Sequence, residues 1–128
     1  MDVVAALICG KKDKILIAQK ASSETSCLKS GLWEFPGGKV EPGENFEQAV
    51  QREIFEELRM KLTKPLFLQT LQGPKNLNLH FFRCRSLSPY CPQEHRAIQW
   101  VSRTNLYQWE LCELDFKLLS QKNFLEWA

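Results

Sequence analysis

The chain lacks most of the features that place a protein in a special class. No apolar run approaches the roughly 18 residues a membrane-spanning helix requires, so none of its 128 residues is expected to cross a bilayer as a helix. No charge sign dominates: 17 Lys and Arg against 15 Asp and Glu leave a formal net charge of +2. That balance argues against a protein that coats duplex nucleic acid and against an acidic tail, while leaving room for a local basic patch. Internal repeats and low-complexity segments are missing as well. The five cysteines, Cys9, Cys27, Cys84, Cys91 and Cys112, are odd in number, irregularly spaced and without a Cys-x-x-Cys pair. That usage suits free thiols in a reducing cytoplasm. A zinc site built on Cys84, Cys91 and His95 would match no common zinc module and would want a fourth ligand, so packed cysteines are expected instead. The N-terminal stretch MDVVAALICG is apolar over only about seven residues and carries Asp2 where a signal peptide has a basic region. It is expected to be a first strand, with little tail ahead of it.

What remains is an ordinary globular composition, 44% hydrophobic and 25% charged, and a length that predicts one domain over residues 1–128. The continuous apolar run at 3–9 suits a buried strand. The alternating KILIAQK at 14–20 suits a second strand, hairpin-paired with the first across a turn at 12–14. A polar loop covers 21–31. LWEFPGGKVEPGE then concentrates Gly and Pro, which predicts a structured loop with short extended pieces. The clearest helix is 46–58, where Phe46, Ala49, Val50, Ile54 and Leu58 recur at helical spacing and Asn45 with Gln48 offers a capping box. Strands are predicted near 66–72, 77–85 and 97–101, and a last helix over 113–127. This order predicts an α/β fold, a mixed sheet with helices on both faces.

Within the helix, REIFEE at 52–57 places Glu53, Glu56 and Glu57 within two turns. Like charges three and four residues apart repel by a few tenths of a kcal/mol per pair. A divalent cation converts that repulsion into attraction, because a hard ion takes several oxygen ligands in a small volume. Such a strip alone also reads as a solvated acidic face. Just upstream, PGGK supplies glycines that let a backbone carbonyl approach a ligand.

Taken together, residues 38–60 read GKVEPGENFEQAVQREIFEELRM, and this stretch resembles the signature of the Nudix hydrolases. That signature is Gly, five residues, Glu, seven residues, then Arg-Glu-aliphatic-x-Glu-Glu-x-Gly-aliphatic. Gly38, Glu44, Arg52, Glu53, Ile54, Glu56 and Glu57 stand at the required spacings; Arg59 stands where the family has Gly, and Met60 closes the motif. LWEFPGGKVEPGE and the overall length further resemble the MutT-like branch, which hydrolyses nucleoside triphosphates, including oxidised ones. The resemblance implies the family's α/β/α sandwich with a loop–helix–loop catalytic motif. It implies that Glu53, Glu56 and Glu57 ligate Mg2+ or Mn2+, with the Gly37 carbonyl as a further ligand. Arg52 would orient the carboxylates, Glu44 would support them from behind, and Gly38 and Lys39 would lie near the phosphates. A late acidic residue of that branch falls on Glu94, a candidate metal ligand or general base, with a surface carboxylate as the plain alternative.

Substrate contacts implied by the same resemblance are Lys20, a basic residue at the end of the second strand, and Asp115, at the position that reads the base edge. Asp115 serves equally as an N-cap of the last helix. Trp33, Phe35, Phe81 and Phe82 are candidates for stacking on a base, although most of them are expected in the core. His80 is expected to pack or lie on the surface, and His95, beside Glu94, is placed near the site without a required role. The implied reaction is Mg2+-dependent hydrolysis of a nucleoside triphosphate to the monophosphate and pyrophosphate, as in sanitising 8-oxo-dGTP. Cytidine nucleotides and triphosphorylated RNA ends are alternatives, and an inactive Nudix fold used as a binding module is a third. No stable nucleic-acid, protein or membrane partner is inferred. Arg59 predicts an altered exit from the helix or a small loss of stability, because a left-handed residue that is not Gly costs roughly 1 kcal/mol.

Overall fold

The computed structural model describes residues 1–19, 31–89 and 97–121. Seven strands form one mixed sheet: β1 (Asp2–Cys9), β2 (Lys14–Gln19), β3 (Trp33–Glu34), β4 (Gly37–Lys39), β5 (Leu66–Gln72), β6 (Asn78–Arg85) and β7 (Ile98–Ser102). Helix α1 (Phe46–Leu58) and helix α2 (Glu113–Leu119) are its long-range partners, with a 3-10 segment at Arg103–Gln108 leading toward α2. Among the described residues, no helix is long and apolar enough to cross a membrane.

The apolar run of β1 has no polar alternation because both faces of the sheet are covered. Val4, Ala6 and Ile8 point into a core shared with Ala49, Val50, Ile54 and Leu58 of α1. Val3, Ala5 and Leu7 point into the opposite core, which holds Leu114, Leu118 and Leu119 of α2. β6 runs parallel to β1 along its whole length, from Asp2 opposite Asn78 to Cys9 opposite Arg85. That register sorts the HFF triplet: Phe81 enters the α2-side core and Phe82 the α1-side core.

The expected β1–β2 hairpin survives only at its closed end, where Cys9 stands opposite Ile15. β2 then leaves β1 and pairs with β7, from Lys14 opposite Ser102 to Ala18 opposite Ile98. The edge of β1 that it vacates is taken by β4, with Val3, Val4 and Ala5 opposite Lys39, Gly38 and Gly37. Two segments that local pattern marks only as extended loop therefore become β3 and β4, and they carry the glycine pair into the sheet.

Helix α1 begins with the expected capping box: Asn45 Oδ1 accepts from the Gln48 backbone N–H, and the Asn45 N–H donates to the Gln48 side chain. Phe46, expected in the buried stripe, is partly exposed and lies flat on the His80 ring at 3.9 Å between centroids. His80 is buried and held between Thr70 Oγ1, 2.7 Å from Nδ1, and Asp2 Oδ1, 2.9 Å from Nε2. It ties the start of β1 to β5, which accounts for a histidine in this core position.

The helix exit is not altered by Arg59. Arg59 adopts the left-handed conformation itself, with φ of 53°, and its N–H closes the helix on the Phe55 carbonyl. The strain is carried in the residue, and the guanidinium recovers part of it by lying 5.2 Å from the Phe55 ring centroid. An exposed cation–π contact is worth about 0.5–1 kcal/mol, close to the cost of the backbone. Arg59→Gly is therefore expected to raise stability by only about 0.5 kcal/mol or less, measured as the urea midpoint. A fall of more than about 1 kcal/mol would show that the Arg59–Phe55 contact outweighs the strain.

Candidate active site

The sheet brings β4 against the flank of α1 that carries the carboxylates. Pairing alternates along β4: Pro36 O accepts from Ala6 N at 2.8 Å, and Val40 N donates to Asp2 O at 3.0 Å. The intervening odd residues therefore turn their carbonyls away from β1. The Lys39 carbonyl shows where that edge faces, since it accepts Arg52 Nη2 at 2.9 Å. By the same alternation the Gly37 carbonyl lies on that edge.

A side chain at either glycine would collide, with backbone at Gly37 and with the end of a side chain at Gly38. A Cβ on Gly37 would stand 1.9 Å from the Val4 carbonyl oxygen and 2.8 Å from the Ala5 Cα. A Cβ on Gly38 would stand 2.3 Å from the Glu53 carboxyl carbon. Gly37 thus lets two strands close, and Gly38 leaves the space that the Glu53 carboxylate fills.

Arg52 organises the acidic strip. Its Nη2 donates to Glu44 Oε1 at 2.7 Å and its Nε to Glu44 Oε2 at 3.0 Å, a two-pronged contact. Nη1 donates to Glu53 Oε1 at 2.9 Å and to Glu56 Oε2 at 3.2 Å. Glu44 also accepts from the Glu41 N–H at 2.9 Å. The guanidinium, with that N–H, holds the Glu44 carboxyl well below its usual range, at about 2. The reciprocal effect holds Arg52 protonated. Glu44 touches the strip through Arg52, with which it shares both carboxylate oxygens.

Glu53 differs from Glu44 although both touch Arg52. Burial raises its pKa, and the Arg52 contact only partly offsets this. A half-buried carboxylate that one guanidinium leaves under-compensated, in a cradle a Cβ would fill, fits a hard cation. The available donors, glutamate oxygens and a glycine carbonyl, are those of Mg2+ or Mn2+ and not of a thiolate metal. Glu57 is half-buried, with Oε2 inaccessible to solvent, and Glu56 is exposed. Among the described residues, no three acidic, His or Cys side chains are gathered into a formed metal cage. The reason is visible in the contacts: Glu53 and Glu56 both turn toward Arg52. Glu94, expected as a further ligand, and Lys20, expected at the phosphates, lie outside the described residues, as do Cys91 and His95 of the zinc alternative. Cys84 is buried, and burial pushes its thiol up to about 12, the behaviour of a packing residue. Lys39 is exposed beside the glycine pair, in reach of solvent.

Behind β4 lies Asp115. It is not the cap of α2, a place taken by Cys112; it sits in the first turn, nearly solvent-free, and its Oδ2 accepts from the Phe35 N–H at 3.1 Å. Burial pushes its pKa well up, and the nearby Glu34 carboxylate adds to the shift. Glu34, a residue that sequence reasoning passed over, shares with Asp115 a small cavity of about 10 Å³ against Val3, Ala5, Gly38 and Leu79. Such a space takes about one water. The one signal that marked Glu34 was its place in LWEFPGG, an acid between two aromatics. The stacking candidates are mostly structural: Phe35 packs edge-on against Phe81 at 6.4 Å, Phe82 against Phe67 at 5.6 Å, and half-buried Trp33 against Trp109 at 4.9 Å. Phe35 contributes its N–H to Asp115, not a free ring face.

Asp115→Asn keeps an oxygen for the Phe35 N–H and removes a buried, disfavoured charge. We expect it to raise stability near neutral pH by about 1 kcal/mol. The sign follows from a folded pKa raised above the unfolded value: the acid costs nothing below the unfolded pKa and destabilises increasingly as pH rises through the folded one. The gain should therefore vanish below about pH 4. A constant gain at all pH values would show that Asp115 is ionised at no cost.

Comparison with known proteins agrees with this geometry. The NUDIX domain model matches residues 1–127. The CTP pyrophosphohydrolase of Escherichia coli K12 is 35% identical over 123 residues, covering 93% of this chain and 88% of that protein. The 8-oxo-dGTP diphosphatase of Proteus vulgaris is 38% identical over 88 residues, covering 64% and 73%. Among solved structures, MutT studied from Aliivibrio salmonicida and Vibrio cholerae superposes with a TM-score of 0.78 at 27% identity, covering 99% of this chain and 98% of that one. The E. coli ORF135 protein gives 0.74 at 34% identity, covering 92% and 84%. A match over nearly the whole chain, on a mixed sheet that sets a glycine pair against an Arg-Glu-rich helix, defines the class: this protein belongs to the Nudix hydrolase family.

Proposed function

We propose that the chain hydrolyses nucleoside triphosphates to the nucleoside monophosphate and pyrophosphate. The observation that carries this is the Arg52-ordered strip of Glu53 and Glu56 on α1, set against the Gly37–Gly38 edge of β4 with Glu57 beside it. Glu53, Glu56, Glu57 and the Gly37 carbonyl would hold Mg2+ or Mn2+, with Glu94 supplying a further ligand or the general base. When bound, the metal neutralises polyphosphate charge and acidifies a water. Arg52 and Glu44 hold the carboxylates in place, and Lys20 and Lys39 meet the phosphates. Glu53 is a candidate to take the proton of the attacking water, and Glu94 shares that candidacy.

Glu34 and Asp115 supply the base preference. Asp115, whose pKa is raised by burial and by the neighbouring Glu34 carboxylate, favours the protonated form beside that carboxylate. Such a pair donates one hydrogen bond and accepts another, which suits a base presenting an amine beside an acceptor. An oxidised guanine and a cytosine both do so. The E. coli CTP pyrophosphohydrolase, with its coverage of 93% of this chain, favours cytidine nucleotides as the second reading. The signature carboxylates are all present, which speaks against a binding-only role. Steady-state turnover of 8-oxo-dGTP, dGTP, CTP, 5-methyl-CTP and triphosphorylated RNA separates these readings. We expect an oxidised purine or a cytidine nucleotide to lead. A leading RNA substrate would overturn the base-pair reading, and release of orthophosphate would overturn the reaction.

A further inference from the structure

At the hairpin end of the sheet, away from Asp115, a cavity of about 460 Å³ opens where β1 turns into β2. This is the size range of small-molecule sites. Its floor is apolar, formed in part by the fully buried Met60. One wall is the half-exposed Trp100 ring, and its edge carries the hydroxyl residues Ser86 and Ser88. The mouth holds Lys11, Lys12 and Lys14.

Two features distinguish it from an accidental dent. The indole lies directly on the chain at Gly10, where a Cβ would stand 2.6 Å from Trp100 Cζ3, so the ring is fixed as a platform. The lysines are unneutralised: Asp13, the nearest carboxylate in sequence, is 3.8 Å from Arg103 instead, and among the described residues Lys11, Lys12 and Lys14 form no ion pair. The lysines themselves are brought together by a tight hairpin turn, with φ of 57° at Lys12 and 58° at Asp13, the geometry that Lys75 and Asn76 also adopt between β5 and β6.

We propose that this cavity is a second binding site for an aromatic ring that carries a phosphate, in the form of a nucleoside monophosphate. The ring stacks on Trp100 over the Met60 floor, and the phosphate meets the lysines and the Ser88 hydroxyl, whose oxygen accepts from the Lys61 N–H and whose hydrogen is left to donate. The product of the proposed reaction has this chemistry, but the site does not depend on that reaction, since none of its residues belongs to the acidic strip or the Glu34–Asp115 pair.

The test is a titration of the full chain with dGMP, following the Trp100 indole N–H signal by NMR, assigned by its loss in Trp100→Phe. A saturable shift of that signal is expected, retained in Asp115→Ala. In Lys12→Glu/Lys14→Glu, whose changed residues are exposed, the dissociation constant read from it should rise at least about tenfold. Trp100→Leu, followed by calorimetry in the Asp115→Ala background, should weaken dGMP about tenfold, the scale of one base–aromatic stack. An unmoved Trp100 signal, a shift lost in Asp115→Ala, an unchanged constant in the lysine variant, or inorganic phosphate binding as tightly as dGMP would each overturn the proposal.

Discussion

Glu57→Gln should lower kcat by about 10³-fold or more with Mg2+ while leaving the melting temperature unchanged or slightly raised. The substitution keeps the shape of the side chain and its half-buried position on α1. It removes one negative charge from a strip in which Glu53 already lies beside Glu56, a contact that itself raises the Glu53 pKa. Relief of like-charge crowding on a helix is worth a few tenths of a kcal/mol. Stability and activity therefore move in opposite directions, the mark of a residue kept for chemistry and not for folding. Glu56→Gln should lose less, because Glu56 is exposed and its contact with Arg52, at 3.2 Å, is the longer of the two on Nη1. Turnover in Glu57→Gln within tenfold of the parent would remove Glu57 from the metal site.

Gly37→Ala should fail for a different reason. The added carbon would meet the Val4 carbonyl oxygen at 1.9 Å, inside the β1–β4 ladder where neither strand is free to move. β1 is clamped on its other edge by β6 along its full length. The expected result is a loss of stability of about 3 kcal/mol or more, seen as low soluble yield and a melting temperature lowered by about 10 °C or more, or no cooperative transition at all. Gly38→Ala meets a carboxylate tip, which can swing aside; it should fold and lose activity instead, because Glu53 leaves its cradle. A Gly37→Ala protein with the parent melting temperature would show that β4 does not pair with β1 as described.

The contrast between those glycines also shows what the sequence made legible. The helix was open to reading from local pattern: its bounds, its cap and its buried stripe follow from 3.6-residue periodicity and one Asn-x-x-Gln. Phe46 departs from that pattern because a histidine from β6, distant in sequence, offers it a ring to lie on. The acidic strip and Arg52 were legible for the same reason, since their spacing is local. What is non-local was hidden. Hydrophobic alternation does not say which strand β1 will keep, so the β1–β2 hairpin was overestimated and the β1–β4 pairing missed. Asp115 was recognisable by position, but its partner Glu34 comes from a two-residue strand 81 positions earlier, and only the folded sheet brings them together.

We propose that the ordered carboxylates of α1 serve cleavage of a nucleotide polyphosphate. The direct test is product analysis after turnover of 8-oxo-dGTP and CTP with Mg2+, comparing the parent with Glu57→Gln. Equal amounts of nucleoside monophosphate and pyrophosphate from the parent, with both lost in the variant, are the predicted result. Orthophosphate as the product, or undiminished turnover by Glu57→Gln, would contradict it.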